Sequence, residues 1–157
     1  MGTIGNTADT LLLSLELLGA EEVESVDDPV TTLAEVAVRH LDASGSAREL
    51  FRVATSLTAD EVAQLAAELE GFAAGEQPVL RFAPQEPDLE LEVRRESELM
   101  LLEARIDLGA ISEVMRDDGM GRNQMSVRFT TDGPRLRAFA EGLRRELLVA
   151  CRGRLAS

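Results

Sequence analysis

The sequence predicts an α+β fold: an antiparallel sheet of six or seven strands with two helices packed on one face. Three observations lead there. Most apolar residues recur at every second position, the period of a half-buried strand. Two later stretches switch to helical spacing, each straight after a strand. The two strand–helix junctions also superpose at a fixed offset of 74 residues. Phe51 then matches Met125, Val53 matches Val127 and Thr58 matches Asp132, while Val62, Leu65, Ala66 and Leu69 match Leu136, Phe139, Ala140 and Leu143. Two readings of this match stand side by side: a duplicated β-β-β-α unit, or two amphipathic elements that share a period.

The elements follow in order. Leu11, Leu13, Leu15 and Leu17 share one strand face opposite Ser14 and Glu16. Leu12 and Leu18 break that alternation, and Leu11, Leu15 and Leu18 also fit a helix. Val30, Thr32, Ala34, Val36 and Val38 alternate with Thr31, Glu35 and Arg39, with Pro29 at the edge, where a missing N–H costs least. A turn at Asp42-Ala43-Ser44-Gly45-Ser46 leads to a strand with Phe51, Val53, Thr55 and Leu57 on one face. Thr58-Ala59-Asp60-Glu61 reads as a capping box opening a helix. Its apolar stripe is Val62, Leu65, Ala66, Leu69 and Phe72, with Gly75 as the stop.

The second half starts at Gln77-Pro78. Val79–Phe82 is a short strand before Pro84 and Pro87. Leu89, Leu91 and Val93 alternate with Glu90, Glu92 and Arg94. A turn at Glu96-Ser97-Glu98 precedes a strand with Met100, Leu102, Ala104, Ile106 and Leu108 on one face. Asp117-Asp118-Gly119-Met120-Gly121 is a loop by composition, and Met125, Val127 and Phe129 form the last strand. Pro134 suits the first turn of the final helix, where its nitrogen would be unpaired anyway. Leu136, Phe139, Ala140, Leu143, Leu147 and Ala150 make that helix's core stripe.

Composition narrows the function. The 157 residues read as one domain, 1–157. The formal net charge is −13, and every basic residue is an arginine. That balance argues against direct nucleic-acid binding, which needs basic groups facing phosphates. No apolar run approaches a membrane span. The start lacks a basic leader and the chain has a single cysteine, so the expected address is a reducing cytoplasm. The charge is uneven: residues 1–38 hold eight acids and no base, and residues 122–157 hold three acids and eight arginines. An acidic body of this kind is either a solubilising coat or a face for a basic partner.

Few residues point to chemistry. His40 is the only histidine, and no local nucleophile or orienting acid accompanies it. Cys151 sits on or beside the apolar stripe of the last helix and reads as an inert thiol. Glu21, Glu22, Glu24, Asp27 and Asp28 supply oxygen ligands but lack the spacing and glycine of an EF-hand. Gly119-Met120-Gly121 lacks the lysine of a phosphate-binding loop. The expectation is therefore a binding protein rather than an enzyme, without cofactor or metal.

Two stretches carry a family resemblance. Phe51-Arg52-Val53-Ala54-Thr55-Ser56-Leu57-Thr58 runs into a helix and is followed by Phe82, Pro84, Glu86, Pro87 and Leu89; Phe129-Thr130-Thr131-Asp132 then opens the closing helix. In this order the chain resembles the WapI-type immunity family of bacterial polymorphic-toxin systems over roughly residues 10–150. The resemblance implies a protein that holds a cognate toxin domain inactive without catalysis. A toxin that attacks nucleic acid is commonly basic, so the expected contacts are Glu21, Glu22, Glu24, Asp27 and Asp28, with Glu90 and Glu92 second. An acidic secretion-type chaperone and an uncharacterised small α+β binding module are the alternatives. Oligomeric state is left open.

Overall fold

The computed structural model describes residues 1–20, 29–85, 89–107 and 124–155. They form β1 (Gly2–Gly5), β2 (Leu11–Ala20), β3 (Thr31–Leu41), β4 (Ala47–Thr58), α1 (Ala59–Ala73), β5 (Val79–Phe82), β6 (Leu89–Glu96), β7 (Leu99–Asp107), β8 (Gln124–Thr131) and α2 (Gly133–Leu155). The strands make two antiparallel sheets, ordered β1-β2-β3-β4 (sheet A) and β5-β6-β7-β8 (sheet B). This corrects the single sheet of six or seven strands. It also lengthens the repeated unit from β-β-β-α to β-β-β-β-α, because β1 answers β5. The helices do not share one face of one sheet either: α2 packs on β1 and β2, whereas α1 packs on β4, on β5 and on α2.

Alternation builds each sheet as expected. Ile4, Leu13, Leu15, Ala34, Val36, Val38, Val53 and Leu57 turn inward from sheet A, and Leu80, Phe82, Leu89, Leu91, Val93, Leu102, Ile106 and Phe129 from sheet B. They join both helix stripes in one core. The broken alternation in β2 has a structural cause. The register of β2 against β3 shifts between Leu17 and Gly19, a bulge that leaves Leu18 unpaired and exposed. Leu12 simply belongs to the outer face, opposite Arg39.

The two helix starts correspond. The Glu61 N–H donates to Thr58 Oγ1 at 3.2 Å, and the Glu61 carboxylate accepts from the Thr58 N–H at 2.8 Å. At the matched position the Asp132 carboxylate accepts from the Arg135 N–H at 2.9 Å. Each cap satisfies a backbone donor that has no partner inside the helix. Glu70 and Arg144, 74 positions apart, form a two-pronged ion pair at 2.9 and 2.7 Å. Equivalent residues of the two units thus meet across the helix pair, which argues for a repeated unit rather than a shared period alone.

Sheet A meets sheet B at one corner. The Thr131 hydroxyl donates to the Gly5 carbonyl at 3.0 Å, and the Thr7 N–H donates to the Thr130 carbonyl at 2.9 Å. β1 is also pressed against α2. A Cβ on Gly142 would lie 3.0 Å from the Gly2 Cα, and one on Gly2 would lie 2.7 Å from Leu143 Cδ2. Glycine at both places lets strand and helix approach this closely.

Candidate functional site

The outer face of sheet B carries the most ordered arrangement of charge. Parity along each strand decides which residues stand there: those alternating with the buried Leu80, Leu91, Val93, Leu102 and Ala104. Cross-strand register then aligns them in rows. One row runs Arg81–Glu92–Glu103–Arg128 across all four strands. The next runs Glu90–Arg105–Ser126. Two glutamates directly opposite each other, Glu92 and Glu103, would repel. The flanking arginines remove that cost. Arg81 and Arg94 both reach Glu92, at 3.3 and 3.4 Å, and Arg105 and Arg128 both reach Glu103, at 3.1 and 3.0 Å.

Glu103 is the centre of this lattice, with only 8 % of its surface exposed. Burial by itself would push its carboxyl up. Hydrogen bonds from Arg105, Ser126 and Arg128 outweigh that and hold it below the usual glutamate value. Arg105 is in turn fixed between Glu103 and Glu90, the latter at 3.6 Å. A shallow dish of about 120 Å³ opens here, lined by Arg81, Phe82, Ala83, Glu90, Leu91, Glu92, Glu103 and Arg105. Held in place by one another, these groups present charges of both signs at fixed positions. Such a surface selects a partner by matching charge rather than by total attraction.

Of the residues expected to bind a partner, Glu90 and Glu92 lie on this face, each already paired with arginine. Glu21, Glu22, Glu24, Asp27 and Asp28 lie outside the described residues, as do the loop at Asp117–Gly121 and Leu108. The four arginines of the face were not singled out from sequence. Their signal was present, since each shares the outward parity of its strand.

Sheet A has a smaller cluster. Arg52 is bound by Glu49 and by Glu35, which raises its pKa and lowers that of Glu49. His40 is an exposed strand-end residue opposite Arg48, and Cys151 is half-buried. Among the described residues no group of three or more His, Cys, Asp or Glu side chains is placed to hold a metal ion. No described helix is long and apolar enough to cross a membrane.

Comparison with protein families returns the immunity protein WapI-like family, whose model matches residues 6–149. The chain belongs to that family. No curated protein matches it. Among solved structures, the plant transcriptional regulator PBF-2 is similar at 8 % identity, with a TM-score of 0.50, covering 93 % of this chain and 86 % of that one. WHY3 from Arabidopsis thaliana is similar at 11 % identity, with a TM-score of 0.46 and coverage of 88 % and 81 %. The PBF-2 likeness is one of fold alone.

Proposed function

We propose that this protein is a single-domain, cytoplasmic, non-catalytic immunity protein that neutralises a cognate toxin domain by binding it. The observation that carries this reading is the family match across residues 6–149. The finer proposal is that the toxin domain is basic and meets an acidic surface of this chain. The net charge of −13 supports it, since long-range attraction speeds encounter and complementary charge selects the partner. The contacts proposed are Glu21, Glu22, Glu24, Asp27 and Asp28. Glu90 and Glu92 are second, because each must give up or share an arginine to take a new cation.

The test is capture of a toxin domain sought among the products of the genes that flank this one, with the native chain and with a variant carrying serine at those first five positions. The native chain binds and rescues growth of cells making the toxin. The variant binds more weakly, and the difference shrinks as salt rises. Equal binding of both forms at low and high salt removes the acidic-surface mechanism. Failure of the native chain to bind or rescue removes the immunity reading.

A further inference from the structure

We propose that two copies of this chain associate through their helix layers, with α1 of one copy against α2 of the other. Three features of those helices fit each other. The first is charge. α1 carries four acids and no base, whereas α2 carries six arginines and two glutamates. Within one copy the Glu70–Arg144 pair already joins the two helices by this complementarity.

The second feature is exposed apolar surface on an otherwise charged helix. Leu148 and Val149 are 58 % and 71 % exposed. They lie just beyond Leu147, which matches the last residue of α1 at the 74-residue offset. The third is the shape of the α1 surface. Ala63 and Ala67, one turn apart, are exposed and form a strip of small residues along the helix between Asp60, which is exposed, and Glu68, which is half-buried and accepts from Gln64. Small residues let a second helix approach closely, and its large side chains then fill the strip.

A two-fold interface needs one patch that complements itself. The helix layer meets that requirement: the acidic strip and the basic, apolar ridge belong to the same molecule, so two copies satisfy both at once. A foreign partner would have to supply both halves. Among the described side chains of α2, Arg135, Arg144 and Arg145 are paired with acids, and Arg137 and Arg152 are exposed cations. The inference does not depend on the toxin reading.

Sedimentation of the full chain at rising concentration tests it, using two charge-reversed variants. One carries Asp60→Arg and Glu68→Arg; the other carries Arg137→Glu and Arg152→Glu. The native chain is expected to dimerise, and the dimer to weaken as salt rises. Each variant alone places like charges across both contacts and should dissociate about a hundredfold more readily. Mixing the two restores opposite charges at both contacts, and a mixed dimer should return. Leu148→Ser with Val149→Ser provides a variant of exposed residues that keeps the fold and also loses the dimer. A native chain that stays monomeric at about 1 mM, where even a millimolar dimer would be half formed, overturns the proposal. So does a dimer that neither charge-reversed variant disturbs; it would place the interface elsewhere.

Discussion

Alanine at Gly2 and alanine at Leu143, introduced singly and together, probe the closest approach between the first strand and the last helix. A Cβ on Gly2 would stand 2.7 Å from Leu143 Cδ2 and 3.1 Å from Phe139 Cε2. Gly2→Ala therefore overpacks the contact and should cost about 1 kcal/mol, the low end of the range for overpacking, because the atom in the way is the end of a side chain. Leu143 is fully buried, so Leu143→Ala leaves a cavity and should cost about 2–5 kcal/mol. In the double variant the new methyl enters the space that Leu143 vacates. Its cost should fall below the sum of the single costs by about 1–2 kcal/mol. Urea unfolding measures all three, with the slope of the transition unchanged if the folded state keeps its compactness. Costs that add to within about 0.5 kcal/mol would refute the packing of β1 on α2.

Other expectations concern the caps and the charged face. Thr58→Ala and Asp132→Ala each remove the acceptor for a backbone N–H at a helix start, and thermal melts should show a loss of about 1 kcal/mol for each. For Glu103 the folded state holds the carboxyl below its ordinary value of 4.5. Its contribution is therefore fully present above that value and is lost as pH falls through the lower, folded one. Glu103→Gln should be less stable than the native chain at neutral pH, by about 1 kcal/mol. It should also lose less stability on acidification below about pH 4.5, which denaturant melts at several pH values would show.

Much of the fold was legible because it depends on local pattern. The period-2 runs located seven of the eight described strands, and the Thr58–Glu61 capping box marked the start of α1 to the residue. The 74-residue offset paired Thr58 with Asp132, and both are caps. β1 was not legible. It has four residues, two of them glycine, and it holds its place through contacts with β2, α2 and the end of β8, far away in the sequence. The division into two sheets was hidden for a related reason. Alternation shows which face of a strand is buried but not which strand lies beside it, and α1 between β4 and β5 ends one sheet and lets another begin.

The site was legible only in part. Glu90 and Glu92 stood out as exposed acids on a clean strand. Their neutralisation by Arg81, Arg94 and Arg105 depends on cross-strand register, which no single strand reveals. Charge summed over stretches of sequence showed an acidic body and a basic end. Among the described elements α1 carries four acids and no base, while the outer face of sheet B carries both signs in pairs.

Titrating the toxin activity of the cognate domain against this protein tests the central claim most directly. A non-catalytic inhibitor must be consumed in proportion. Toxin activity should fall linearly to zero at one chain per toxin domain, and toxin separated from the complex under denaturing conditions should be chemically unchanged and active again after refolding. Loss of toxin activity at a small fraction of equivalence, or a toxin recovered with altered mass, would contradict neutralisation by binding.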